Sequence, residues 1–346
     1  MKTMFIRNAA LVACLGAAAI VAGASAASAG TLADIKARGT LRCGVAPNSP
    51  GFAFKDAQGS YKGFDVDFCH AIAAAVLGDA KKIEVSPFGL RDAFTALASG
   101  SVDVLTHRLT WTFNRDNGTG IETVRTAFYD GQGFIVRKSA NLKSVKDLNG
   151  ATICVAQGST SELNLADYFR SHGMKYQLAT FAGLDEARDA YEAGRCDAWT
   201  NDRSNLAARA QGLKNRADHV VLPDTISKEP IGPMVKSSDA EWFHVVRWSV
   251  DAIIAAEELG ITSGNVDQLR ASADAKPEVK RLLGVGDNLG QKLGLSQDWA
   301  YNIVKQVGNY GEIFERNVGE KTPLGLSRGQ NAQWKDGGLL YAPPFR

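Results

Sequence analysis

Apolar positions along the chain form first a run and then a repeating alternation. The run, rich in Ala, Leu, Val and Ile, extends from Ala9 to Val21 behind the basic residues Lys2 and Arg7. Ala27-Ser28-Ala29 then fits the small-residue pattern of a leader cleavage site. The run is shorter than the roughly 20 apolar residues of a membrane span, so residues 1–29 are expected to be a cleaved signal peptide. Cys14 sits in a lipobox-like Leu11-Val12-Ala13-Cys14, but too close to Arg7 to leave an adequate apolar region before it.

From residue 40 to 235, short β-rich runs alternate with helical periodicity, the pattern of α/β units around parallel sheets. Strands are expected at Leu41–Ala46, Ile83–Phe88 and Val102–Thr106, with helices at Asp65–Leu77, where Asp65 can cap, and Asp92–Ala98. The pattern then restarts. Strands at Ala151–Ala156, Tyr176–Phe181 and Cys196–Thr200 are separated by helices at Glu162–Arg170 and Asp185–Ala193. Ala96-Leu97-Ala98-Ser99-Gly100-Ser101-Val102-Asp103-Val104 parallels Ala190-Tyr191-Glu192-Ala193-Gly194-Arg195-Cys196-Asp197-Ala198. In both, a helix ends at a Gly suited to the left-handed position and a short turn leads into a strand.

Two lobes of similar architecture are therefore expected. Phe128–Lys138 and Lys228–Lys236, extended and carrying Gly or Pro, are the places for the chain to cross between them. That divides the chain into residues 30–132 (first lobe, first part), 133–230 (second lobe) and 231–346 (completion of the first lobe plus a C-terminal extension and tail). Glu241–Leu259 reads as an amphipathic helix. Residues 262–346 read as helical and then irregular, with no function suggested by the pattern.

Composition narrows the function classes. Losing residues 1–29 removes Lys2 and Arg7 and no acid, which leaves Lys and Arg equal in number to the 37 Asp and Glu. With no basic block elsewhere, a nucleic-acid partner is not expected. Cys43, Cys69, Cys154 and Cys196 remain, an even number for an oxidising compartment. The pairing Cys43–Cys69 and Cys154–Cys196 is preferred, since each pair closes a loop within one lobe; four buried thiols are the alternative. No C-x-x-C pair exists to suggest zinc.

In open α/β sheets, ligands bind beyond the carboxyl ends of the strands. That rule selects His107 to Arg115 after one strand, Asn201-Asp202 after another, and the turn Gly158-Ser159-Thr160-Ser161 at a helix start. An Arg for a carboxylate, N–H donors at a helix start and an Asp for an ammonium suit a zwitterionic amino acid. Each of these residues taken singly is more often a surface ion pair or a cap.

The motif Gly63-Phe64-Asp65-Val66-Asp67-Phe68, followed by Ile72, Ala73 and Val76, resembles the family 3 solute-binding proteins of polar amino acid ABC importers. Gly44-Val45 and the corner from Ala96 to Asp103 extend that resemblance over roughly residues 31–255. The longer chain, the Tyr129-Asp130-Gly131-Gln132-Gly133-Phe134 crossover and Ala342-Pro343-Pro344 are similar to the general L-amino-acid-binding subgroup. The resemblance implies a type II periplasmic binding fold and a monomer in the periplasm. Its partners would be an L-amino acid and an inner-membrane permease, with no cofactor. It implies that Arg115 pairs the ligand α-carboxylate with help from Thr110, Thr160 and Ser159, and that Asp202 receives the α-ammonium. Phe52 and Leu90 would form apolar walls, and Ser49, His107 and Arg108 would lie near the ligand side chain.

His107, Arg108, Leu109 and Ala93 depart from the family's usual residues, as does Phe113-Asn114 before Arg115, so side-chain preference does not carry over. Arg108 would either favour an acidic ligand side chain or form a buried structural ion pair. A cyclohexadienyl dehydratase-like enzyme on the same scaffold is the alternative, with His107 as proton donor. Gly325-Leu326-Ser327-Arg328-Gly329 matches a nucleophile-elbow expression, but no strand precedes it and no His follows it.

Overall fold

The computed structural model describes residues 30–346; the expected leader lies outside the described residues. Helix α1 (Gly30–Arg38) leads into β1 (Leu41–Val45) and a small hairpin, β2 (Phe54–Lys55) and β3 (Tyr61–Lys62). Then come α2 (Phe64–Leu77), β4 (Ile83–Pro87), α3 (Leu90–Ser99), β5 (Val104–Thr106), α4 (Phe113–Gly118) and β6 (Ile121–Thr123). The chain leaves this lobe through β7 (Phe128–Asp130). The second lobe holds β8 (Gln132–Arg137), β9 (Thr152–Ala156), α5 (Thr160–Ser171), β10 (Gln177–Phe181) and α6 (Leu184–Glu192), then β11 (Ala198–Asp202), α7 (Arg203–Arg209) and β12 (His219–Val221). The return runs through β13 (Glu229–Ile231) to β14 (Met234–Lys236) and the long helix α8 (Ala240–Glu258).

Each lobe is built on one five-stranded sheet, in the order β4-β1-β5-β14-β6 and β10-β9-β11-β8-β12. In each, the first three strands are parallel and the fourth is antiparallel to its neighbours. This is the two-lobed type II binding-protein architecture. The crossover strands pair antiparallel with one another, Phe128 opposite Ile231 and Asp130 opposite Glu229, so both connections lie side by side.

The repeated corner has a common cause in both lobes. Asp103 N–H donates to the Arg42 carbonyl and its carboxylate accepts from Arg42 N–H at 2.7 Å. Asp197 does the same with Thr152, its carboxylate accepting at 2.8 Å. An Asp three residues after the Gly thus pins the incoming central strand, β5 or β11, to the start of its neighbour, β1 or β9. Gly100 and Gly194, at φ 76° and 78°, occupy the left-handed position that ends the preceding helix.

In the Gly63 motif, Phe64 and Asp65 N–H groups donate to the carbonyls of Gly51 and Phe52. A Cβ at Gly63 would stand 2.2 Å from the Phe52 carbonyl oxygen, so the motif locks the 51–53 turn against α2. Asp65 does not cap the helix as expected. Gly63 occupies the cap position, and Asp65 is buried in the first turn with Oδ2 unpartnered.

The structure pairs Cys43 with Cys69, tying β1 to α2, and Cys154 with Cys196, tying β9 to the turn before β11, at Cα separations of 6.3 and 5.7 Å.

Beyond α8 the chain continues on the first lobe as α9 (Val266–Ala271), α10 (Pro277–Leu282), α11 (Leu289–Lys292), α12 (Trp299–Gln306) and α13 (Tyr310–Asn317). Helix α12 packs on α2 and α8, and α13 on the same pair. Tyr310 and Phe314 enter an aromatic cluster with Phe64, Phe68 and Phe128. The tail then turns back. Arg328 forms a two-point ion pair with Glu257 at 2.9 and 3.0 Å, and the Asn331 amide both donates to and accepts from the Tyr129 backbone in β7. Phe345 packs on Trp248 and Trp299. The extension is therefore structural mass added to one lobe, braced against the crossover.

Candidate functional site

The carboxyl ends of the parallel strands in both sheets converge on a cavity of about 380 Å³ between the lobes. The first lobe contributes Ala46–Asn48 after β1, Phe88–Leu90 after β4, and His107–Thr110 with Arg115 after β5. From the second lobe come Ser159–Ser161 after β9, Ala182–Glu186 after β10, and Asn201-Asp202, Asn205 and Arg209 from β11 and α7. Of the ten predicted ligand residues, Arg115, Asp202, Thr110, Thr160, Ser159, Leu90, Arg108 and His107 line this space.

Phe52 and Ser49 do not. Ser49 and Ala53 close a tight bridge, which turns both Ser49 and Phe52 fully inward. The Phe52 ring lies under the Arg108 guanidinium, 3.7 Å from centroid to Cζ, as a support for that side chain rather than a wall of the cavity.

Arg115 projects from the first turn of α4, whose start is fixed by the Thr112 side chain accepting from Arg115 N–H. One guanidinium nitrogen donates to the Thr110 carbonyl at 2.8 Å, and the plane lies 5.4 Å from the Phe94 ring. Burial lowers its pKa, opposed by the carboxylates of Asp202 and Glu229. Asp202 ends β11 and is buried without a side-chain hydrogen bond from the described residues. Burial raises its pKa well above the usual carboxylate range, and the nearby Asp130 and Glu229 carboxylates add to the rise, against Arg108 and Arg115. A cationic group brought to Asp202 would restore its charge.

Glu229, in the return crossover, accepts from Thr160 at 3.2 Å, Asn164 at 2.6 Å and Ser227 at 2.6 Å, and also from Thr110. It joins Thr110 of the first lobe to Thr160 and Asn164 of the second and was not singled out from the sequence. Arg108, held at φ 59°, donates to Asp130 at 3.2 Å and to Ser204. Of the two roles expected for it, the ion pair is present, although its Nε and Nη1 have no partner among the described residues. His107 makes a 2.6 Å bond to the Phe88 carbonyl, and burial pulls its pKa down to about 4. A neutral ring at this depth is a poor proton donor.

Arg209 and Asp185 were also missed. Arg209 is 3% exposed; it donates to Asp185 at 2.5 Å and, across the cleft, to the Pro47 carbonyl at 2.9 Å. Asp185 lies just beyond β10, where the same strand-end rule would have found it.

The sequence between residues 41 and 264 matches the model of the bacterial extracellular solute-binding proteins, family 3. The chain belongs to this family. Over 343 residues it is 50% identical to the general L-amino acid-binding periplasmic protein AapJ of Rhizobium johnstonii, covering 99% of this chain and all of that one. Over 329 residues it is 51% identical to the glutamate/glutamine/aspartate/asparagine-binding protein BztA of Rhodobacter capsulatus, covering 95% and 96%. Among solved structures, a periplasmic binding protein of an ABC transporter from Brucella ovis with glutathione bound superposes with a TM-score of 0.89 at 48% identity, over 92% of this chain and all of that one. The family model stops at residue 264, whereas AapJ and BztA share nearly the whole length, so the C-terminal extension belongs to a longer subset of the family.

Proposed function

We propose that this protein is the periplasmic solute-binding component of an ABC amino acid importer, capturing an L-amino acid between its lobes for delivery to the permease. The observation that carries this reading is the placement of Arg115 on one lobe and Asp202 on the other, both facing one interlobe cavity. The ligand carboxylate pairs Arg115, with Thr160 and the N–H groups at the start of α5 as further donors. The ammonium meets Asp202. One ligand then satisfies opposite charges on two bodies, and only the closed arrangement allows both contacts, so binding shifts the lobes toward closure. Residues 133–230 would move as one body against 30–132 joined to 231–346, about the paired crossovers β7 and β13.

The names of AapJ and BztA support an amino acid as ligand, and the expected leader supports the periplasm. The relatives are binding proteins of transporters, and the protein is read as a binder, not an enzyme. His107, held near a pKa of 4, does not favour the dehydratase alternative. Isothermal titration of the mature protein with the twenty L-amino acids tests the reading. Saturable heat at one site supports it; no heat for any of them, or turnover of prephenate or arogenate, would overturn it.

A further inference from the structure

Glu229 lies in the return crossover, 1% exposed, and is not among the residues that line the interlobe cavity. Its carboxylate nevertheless takes four side-chain donors, with Oε2 accepting from the Thr110 and Thr160 hydroxyls and Oε1 from Ser227 and the Asn164 amide. An ionised carboxylate accepts at about four lone-pair sites on two oxygens, whereas an amide in its place accepts on one oxygen only. Thr110 belongs to the first lobe, and Thr160 and Asn164 to the second. The two threonine hydroxyls stand 3.4 Å apart, so a rotation that separates them takes at least one away from Oε2.

Each threonine is tied to one half of the proposed carboxylate pocket. The Thr110 carbonyl accepts from the Arg115 guanidinium at 2.8 Å. Thr160 opens α5, whose first N–H groups are the other donors. Against the lowering effect of burial, the charges of Asp202 and Glu229 hold Arg115 protonated. Toward a bound carboxylate, however, Glu229 carries the wrong sign. Its place beside an anion pocket is explained by the donors it gathers, not by its charge.

We infer that Glu229 is a positioning residue that assembles the carboxylate pocket from two halves, the Arg115 side on one lobe and the α5 start on the other. This rests on the proposed function. Glu229 acts through Thr110 and Thr160 without touching the ligand, and contacts formed on closure favour the arrangement in which both halves face it. The pocket so held serves the one group that every amino acid shares. The contribution of Glu229 is therefore the same for all ligand side chains.

The test is calorimetry of mature Glu229→Gln and wild type against the twenty L-amino acids, with thermal melts of both proteins. Every amino acid that binds wild type should bind the variant about tenfold more weakly or worse. The factor should be common to all, within about threefold, so that their order of affinity is kept. Unchanged affinities with a lowered melting temperature would make Glu229 merely structural and overturn the inference. A reordered panel would overturn it too, by showing that Glu229 meets the ligand side chain. So would tighter binding, the result if Glu229 acted mainly as a like charge on the ligand carboxylate. Should Glu229→Gln not fold, Asn164→Ala decides, since it removes one second-lobe donor from outside the cavity. It should weaken all ligands by about fivefold, and full affinity would sink the inference. If no amino acid binds wild type, the capture reading itself fails and this inference falls with it.

Discussion

The two lobes share a sheet order, an Asp-pinned corner and one disulfide each, yet they are supported very differently. Behind the first sheet stands a continuous apolar cluster running from Leu32 through the buried face of α8 to Leu340. The second lobe has two smaller clusters, one around Trp199 and Tyr191 and the other around Phe134 and Phe169. Apolar burial stabilises in proportion to area, so the first lobe is the heavier, more rigid platform and the second the lighter body. The proposed ligand site takes its arginine from the platform and its aspartate from the lighter lobe. A binding protein gains from this inequality, since rigidity can hold one half of the clamp in place while the other half closes.

The comparison is broken most directly at the clamp. Arg115→Ala and Asp202→Ala should each weaken amino acid binding more than a hundredfold by calorimetry, because each leaves a charge of the bound ligand buried without its partner, typically a cost of about 3–5 kcal/mol. Normal binding by Asp202→Ala would remove the second lobe from the ammonium site. Wild-type affinity should also fall as the solution is acidified, and binding should release protons, since the ligand ammonium requires Asp202 charged and Asp202 titrates above the ordinary carboxylate range.

Removing the disulfides sharpens the contrast in stability. The chain-entropy picture gives about 3–4 kcal/mol for each loop. Replacing Cys154 and Cys196 by Ala should make the second lobe open at lower denaturant than the first, seen as Trp199 fluorescence changing ahead of the signal from the first lobe. Replacing Cys43 and Cys69 should instead lower a single transition, because the C-terminal helices still hold that lobe. Two coincident transitions in the first case would contradict the difference in support.

A smaller effect concerns two buried groups of the first lobe with opposite pH responses. Burial raises Asp65 to about 7, so its contribution to stability is present below its ordinary 3.8 and is lost as pH rises toward 7. His107, depressed to about 4, acts the other way: stability is lost as pH falls from 6.5 toward 4, because the unfolded imidazole gains a proton that the folded one refuses. These slopes oppose each other in the wild type. His107→Gln should expose the fall with rising pH, and Asp65→Asn the fall with dropping pH, in thermal melts from pH 4 to 7. The smallest change expected is for Asn331→Ala, which removes two hydrogen bonds to the Tyr129 backbone. It should cost about 1–2 kcal/mol of stability without touching the clamp.

Much of this was legible in the sequence because it depends on local pattern. Period-two and helical spacing placed the strands and helices of both sheets, and the Asp103 and Asp197 corners appeared as a repeat. The strand-end rule led to Arg115, Thr160 and Asp202. Phe52 was misplaced because the Ser49–Ala53 bridge reverses the chain and sends the ring into the core, a turn that polarity does not signal. Arg209 was invisible for a different reason. Its partners lie 24 and 162 residues away, and only the approach of two lobes makes a helix-end arginine part of a pocket wall. Glu229 sits in a Pro- and Gly-containing crossover, read as a connection when it is also a junction for hydroxyl and amide groups from both lobes.

The packing of Phe345 against Trp248 and Trp299 has a kinetic consequence. The sheet of the second lobe pairs strands lying between residues 132 and 221, so its contacts are all available within that stretch of chain. The first lobe must wait for the penultimate residue, with Asn331 meeting Tyr129 over 202 positions. Contacts at such sequence separation form slowly. The heavier lobe is expected to be the later to assemble, around a smaller neighbour whose contacts are closer in sequence. A chain lacking its last few residues would leave the first lobe, rather than the interlobe cavity, unclosed.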